Sequence, residues 1–192
     1  MFDYKLFAYT VWQEFLLLLK APVLVPEMWW IITPLIIITI GMAFYFGKYI
    51  RERLGWNTAL GNSFVLFFVG IDLLRKIFHY TVPGAFWNYF HNPLLAGIIL
   101  IIMFEGLLLS YSAFQHALPE KIMFFLTSPL PVNVQAYVLI SAVYLRFNPS
   151  IYTLCAAILM FVMLYVAIRI LQEIEHIRLG YHFAGNKKRK NK

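Results

Sequence analysis

Cysteine occurs once, at Cys155, so the chain can close no disulfide on itself and build no cysteine zinc site. That thiol lies in the apolar run 152–166, where a small buried side chain is the plain reading. Charge is scarce too. Charged residues make up 13% of the 192, hydrophobic ones 61%, and the mean hydropathy is +0.72. Water-soluble domains carry about a quarter charged residues and about half apolar ones. A soluble fold of this length has too high a surface-to-volume ratio to hide so much apolar surface, so the missing solvent is lipid.

Catalytic signatures are missing as well. No Gly-x-Ser-x-Gly elbow, no His-Glu-x-x-His and no P-loop occurs, so an intramembrane protease or an ATP-driven activity lacks its parts. Glu173-x-x-His176 is half of a di-iron ligand set, but no second such pair follows, and Glu175 and His182 do not complete it. No metal and no cofactor is implied. His79, His91 and His116 fall near predicted span ends and suit interfacial hydrogen bonding. There is no internal repeat to suggest an inverted-repeat transporter. The N-terminus has Asp3 and Glu14 and no small-residue cleavage site before Pro22, unlike a signal peptide, so Met1 is expected to stay with the mature chain.

What is present is apolar sequence in blocks. The pattern predicts an all-α integral membrane fold, a single domain over residues 1–192 with a bundle of about five transmembrane helices. An N-terminal interfacial amphipathic helix is expected over 3–20, with a polar stripe at Asp3, Thr10, Gln13 and Glu14 and a break at Pro22 and Pro26. Spans are expected over about 29–47, 59–78, 94–114, 132–147 and 150–171. A helix crosses a hydrocarbon core of about 30 Å in roughly 20 residues at ~1.5 Å each. The fourth block is short, carries Asn133 and Gln135 near its start, and reads as a tilted span rather than a re-entrant hairpin. Before it stand a short interfacial helix around 121–126 and an expected breaker, Ser128-Pro129-Leu130-Pro131. After the fifth span come an amphipathic extension over 172–179 and a basic tail over 180–192.

The net charge of +7 is concentrated at the end, where Lys187, Lys188, Arg189, Lys190 and Lys192 supply five positive charges and no negative one intervenes. The body is near neutral, so basicity gives no argument for nucleic acid. With five spans, eleven of the 16 Lys and Arg residues fall on the side of the tail and five on the other. By the positive-inside rule the C-terminus and the 48–53 loop are cytoplasmic, and the 80–93 loop faces away. The tail's four-residue cluster Lys187, Lys188, Arg189 and Lys190 is placed to contact anionic lipid. Lys188-x-Lys190 also fits a dilysine retrieval pattern, which short basic tails meet by chance.

Three polar places within the spans draw notice. Glu105 sits mid-span, where an ionised acid costs at least ~2.5 kcal/mol on insertion scales, so it must be protonated, paired or turned into the bundle. Gly106 and Ser110 beside it form a small-xxx-small pair that suits helix contact. Asp72 precedes Arg75 and Lys76 by three and four residues, the spacing of a local helical ion pair. Asn57, Asn62 and Ser63 enrich the entrance of the second span in polar groups; they suit capping, close packing or a small headgroup pocket.

Three function classes remain. The first is a non-catalytic subunit that assembles with itself or with other membrane proteins. The second is a small channel or proton-coupled carrier using Glu105, and the third a lipid-headgroup enzyme using Asp72 with the 57–63 segment. Without a catalytic motif, and with carboxylates dispersed in depth, the first is favoured.

Overall fold

The computed structural model describes residues 3–48, 55–78 and 92–190, with side chains through Ile174. The loops expected at 48–53 and 80–93 fall mostly outside that set, as do His79 and His91. The described chain is helical: α1 (Tyr4–Leu24), a 3-10 turn (Pro26–Met28), α2 (Trp29–Lys48), α3 (Trp56–Phe78), α4 (Pro93–Gln115), α5 (Glu120–Leu126), α6 (Pro129–Leu145) and α7 (Ile151–Lys190). Among the described residues, five stretches are long and apolar enough to cross a membrane: α2 with its leading turn, α3, α4, α5 with α6, and α7. The protein is an all-α, multi-pass membrane bundle.

Successive spans alternate in direction, which puts the ends of α3 and α6 and the start of α7 on one face. The ends of α2 and α4, the start of α6 and the exit of α7 lie on the opposite face, called here the tail face. Helix α1 belongs to the first face at both of its ends. Near its start Phe7 packs on Tyr152 at the beginning of α7, with ring centroids 5.4 Å apart. Past its end, Glu27 of the 3-10 turn pairs with Lys76 near the end of α3 at 2.6 Å. A helix tied at both ends to one face runs along it and does not cross. Asp3 caps its start, accepting from the N–H groups of Lys5 and Leu6. The exposed indoles of Trp12, Trp29 and Trp30, the last 89% exposed, stand on the same face in the manner of interfacial anchors.

The end of α1 differs from the sequence reading. Pro22 does not break the helix, which runs on to Leu24 with Pro22 buried inside it. Proline has no N–H to give to the carbonyl of Leu18, four residues back. The Tyr137 hydroxyl of α6 donates to that carbonyl instead, at 2.6 Å. The turn therefore loses no acceptor satisfaction, and the break waits for Pro26.

The Ser128–Pro131 segment also behaves otherwise than expected. Pro129 and Pro131 begin α6 rather than separate it from a loop, because the first helical turn has no N–H partners to lose. Helix α6 then ends at Leu145, at Arg146 in the left-handed conformation (φ 57°). This short helix is the centre of the bundle, packing on α1, α2, α3 and α7. Its span is 44% buried, against 11% for α7. The second span starts at Trp56, so Asn57 and Thr58 lie within its first turn and Gly55, whose carbonyl accepts from Ala59 N–H, holds the cap position.

The closest helix pair is α3 with α4, joined along small residues. A Cβ built on Gly106 would stand 3.0 Å from the Ser63 carbonyl oxygen and 3.2 Å from the Phe67 nitrogen. Ser110 and Ala113 continue that buried seam on α4, facing Ala59 and Ser63 on α3. Asn92 caps α4 by accepting from Leu95 N–H at 3.2 Å, with Pro93 at the first helical position. Helix α7 continues without a break to Lys190, through Gly180 and Gly185, and so takes in most of the basic tail. Once a long membrane-anchored helix exists, each added residue meets only the small cost of propagation and not that of nucleation.

Candidate functional site

Glu105 is half-buried, and its carboxylate accepts from the Gln135 side-chain amide of α6 at 2.6 Å. The acid thus finds an uncharged partner across the bundle, on the short span whose polar residues stood out in the sequence. That pairing could not be read from spacing, because which residues of α4 and α6 meet depends on how the two helices lie beside each other and against α3. Gly106 meets α3, and Glu105 reaches from the adjoining side of α4 toward α6.

A second clip ties α6 to α2. The Asn133 amide donates to the Thr39 hydroxyl at 2.6 Å and to the Leu35 carbonyl at 3.2 Å, and Thr39 itself donates to Leu35 at 2.8 Å. A third ties α3 to the end of α5. The Asn62 amide donates to the Thr127 carbonyl at 2.8 Å, capping the short helix. Ser63 is fully buried and donates to Ala59 in its own helix at 2.6 Å, while Asn57 is exposed. In the sequence Asn57, Asn62 and Ser63 suit a common headgroup contact. The fold separates them, with one outside, one spent on a helix end and one in the α3–α4 seam.

The Asp72 group also divides. Arg75 pairs with Asp72 at 2.5 Å. Lys76 does not join them: it reaches Glu27 and lies 4.8 Å from the centroid of the Tyr144 ring. The sequence reading missed Glu27 as a partner, since 49 residues separate it from Lys76. The outer end of α3 is thereby fastened both to the start of α2 and to the end of α6. Asp72 and Glu105 engage different partners and form no carboxylate pair.

On the tail face Trp56 stacks on His116, whose backbone is left-handed at the end of α4 (φ 53°), with ring centroids 4.1 Å apart. Phe124 of α5 meets the same indole edge-on at 5.2 Å. His116 is therefore an interfacial packing residue. Between α2, α6 and α7 lies an open groove of about 590 Å³, lined among others by Thr39, Phe46, Ser128, Phe161, Arg169 and Gln172. Among the described residues there is no group of three metal-ligating side chains. Nor is any buried side-chain nitrogen or oxygen among them left without a hydrogen-bond partner. Lys187, Lys188, Arg189 and Lys190 occupy the far end of α7, beyond the described side chains.

No known protein family, curated protein or solved structure matches the chain.

Proposed function

We propose that this multi-pass protein is a non-catalytic, membrane-embedded subunit of a larger or homo-oligomeric assembly. The observation that carries the reading is the length of α7. At 40 residues it measures ~60 Å, about twice the ~30 Å hydrocarbon core. Gln172 contacts the Ala43 carbonyl of the parallel helix α2, and α2 ends five residues later at Lys48. Past that level α7 continues for roughly 13 residues, or ~20 Å. A continuous helix reaching that far beyond the bundle is a handle suited to another chain.

The intramembrane polar groups support the same reading. Glu105, Asn62 and Asn133 each hold one helix to another, which is the work of a scaffold. The length of α7 also bears on the basic cluster near its end. Lys187 lies 16 residues past Leu171, ~24 Å along the axis, which exceeds the ~8 Å screening length at physiological ionic strength. A straight helix therefore favours a partner's acidic surface over the bilayer for Lys187–Lys190, and anionic lipid is the alternative contact if α7 bends down to it. The distribution of lysine and arginine supports a cytoplasmic tail face.

The test is extraction in mild detergent of the full chain and of a chain ending at Ile174. The full chain is expected to retain a stoichiometric partner, or further copies of itself, that the shortened chain loses although it still inserts. Reconstituted vesicles distinguish the carrier reading: pH-gradient-driven proton flux that disappears in Glu105→Gln would replace the subunit proposal.

A further inference from the structure

The groove on the tail face is not explained by assembly. The geometry points to a binding site for the headgroup of a zwitterionic phospholipid, with Arg169 on the phosphate and Glu173 on the outer ammonium group. The groove, about 590 Å³, falls in the ~300–1,000 Å³ range of pockets that enclose a small ligand. Met42, Phe46, Phe125 and Phe161 give it an apolar wall, and Ser128, Arg169 and Gln172 a polar margin. That gradient matches a molecule whose acyl chains and polar head are joined end to end.

Depth agrees with the assignment. Arg169 is 18 residues into α7, ~27 Å along a span of about 30 Å, at the boundary between acyl chains and headgroups. No ion pair joins Arg169 to a carboxylate among the described residues, where Asp72 is taken by Arg75 and Glu27 by Lys76. Its Nε donates to the Tyr165 hydroxyl at 3.1 Å and the guanidinium lies 5.3 Å from the centre of that ring. The head is thus oriented from one edge while its terminal amino groups stay available for the bidentate contact that phosphate oxygens favour.

Glu173 lines the same groove four residues further out, ~6 Å along the axis. In a zwitterionic headgroup the ammonium lies outside the phosphate, in the same order and at a comparable separation. A phosphatidylglycerol headgroup, which has no amine, would instead carry no cation to meet Glu173. The N-terminus of α6 at the groove contributes little of its own, since Pro129 and Pro131 have no N–H to offer.

The experiment reconstitutes the full chain in bilayers of equal phosphatidylethanolamine and phosphatidylglycerol and counts retained lipids by native mass spectrometry. The wild-type chain is expected to retain phosphatidylethanolamine preferentially. Arg169→Gln should lower retention of either lipid by about fivefold or more, the effect of losing one charge-assisted contact. Glu173→Gln, on an exposed position, should keep a lipid bound but erase the preference. Wild-type preference for phosphatidylglycerol, or unchanged retention in Arg169→Gln at unchanged helicity, would overturn the assignment. So would an unchanged preference in Glu173→Gln, which also decides the matter should the arginine variant fail to insert.

Discussion

Two hydrogen bonds made by α6 show how single residues hold this bundle. Gln135 gives Glu105 an uncharged partner at 2.6 Å, so the acid needs no cation at mid-membrane. Glu105→Gln keeps the shape and a hydrogen-bonding amide and is expected to leave stability unchanged. Glu105→Leu should cost about 0.6–2 kcal/mol, the range for polar contacts between membrane helices. In a Gln135→Leu background that cost should nearly vanish, and steric-trapping or denaturant titration of the four proteins measures the coupling. Tyr137 offers a second cycle. Tyr137→Phe removes the donor to the Leu18 carbonyl and is expected to cost about 1 kcal/mol. Pro22→Ala restores a main-chain donor for that same carbonyl, so the tyrosine change should be less harmful in the alanine background. Equal costs in both backgrounds would show that the hydroxyl does not stand in for the missing N–H.

At the scale of helices, α3 and α4 are joined where side chains are smallest. Gly106→Leu forces a branched side chain against the backbone of Ser63 and Phe67, which cannot yield as a flexible side chain does. The expected result is a loss of about 2 kcal/mol or more in bundle stability. Gly41 and Gly97, with nothing within 4 Å of an added Cβ, should accept leucine with much less loss under the same titration. The small-xxx-small spacing at Gly106 and Ser110 was readable in advance because close approach needs those residue types wherever the partner is. The central place of α6 was not. In water a buried face is marked by its contrast with a polar one, but lipid is as apolar as the packed interior, so no such contrast marks α6 or α4. Its prolines looked like a break because the same residues punctuate loops, and only the helix start at Pro129 makes them harmless. Partners such as Glu27 for Lys76 depend on which helices lie side by side, which local spacing does not encode.

For the whole molecule, the five spans among the described residues and the clustering of lysine and arginine bear on orientation together. Asn186→Cys should be inaccessible to an impermeant thiol reagent in intact cells and react once the membrane is opened, in a background with Cys155 replaced. Labelling from outside would reverse the topology. Membrane class, the alternation of spans and the one-sided charge were legible from composition and block length, since these depend on the bilayer as solvent more than on tertiary contacts. The unbroken reach of α7 was not, because Gly180, Gly185 and a charge run read locally as a tail. That reach is also the basis of the proposed assembly. The most direct measurement is the mass of the particle excised from native membranes with a polymer that carries its own lipid along. The account predicts a protein mass exceeding the 22.5 kDa of one chain by at least one further subunit, of the same or another kind. A uniform population holding one copy and no other protein would contradict it.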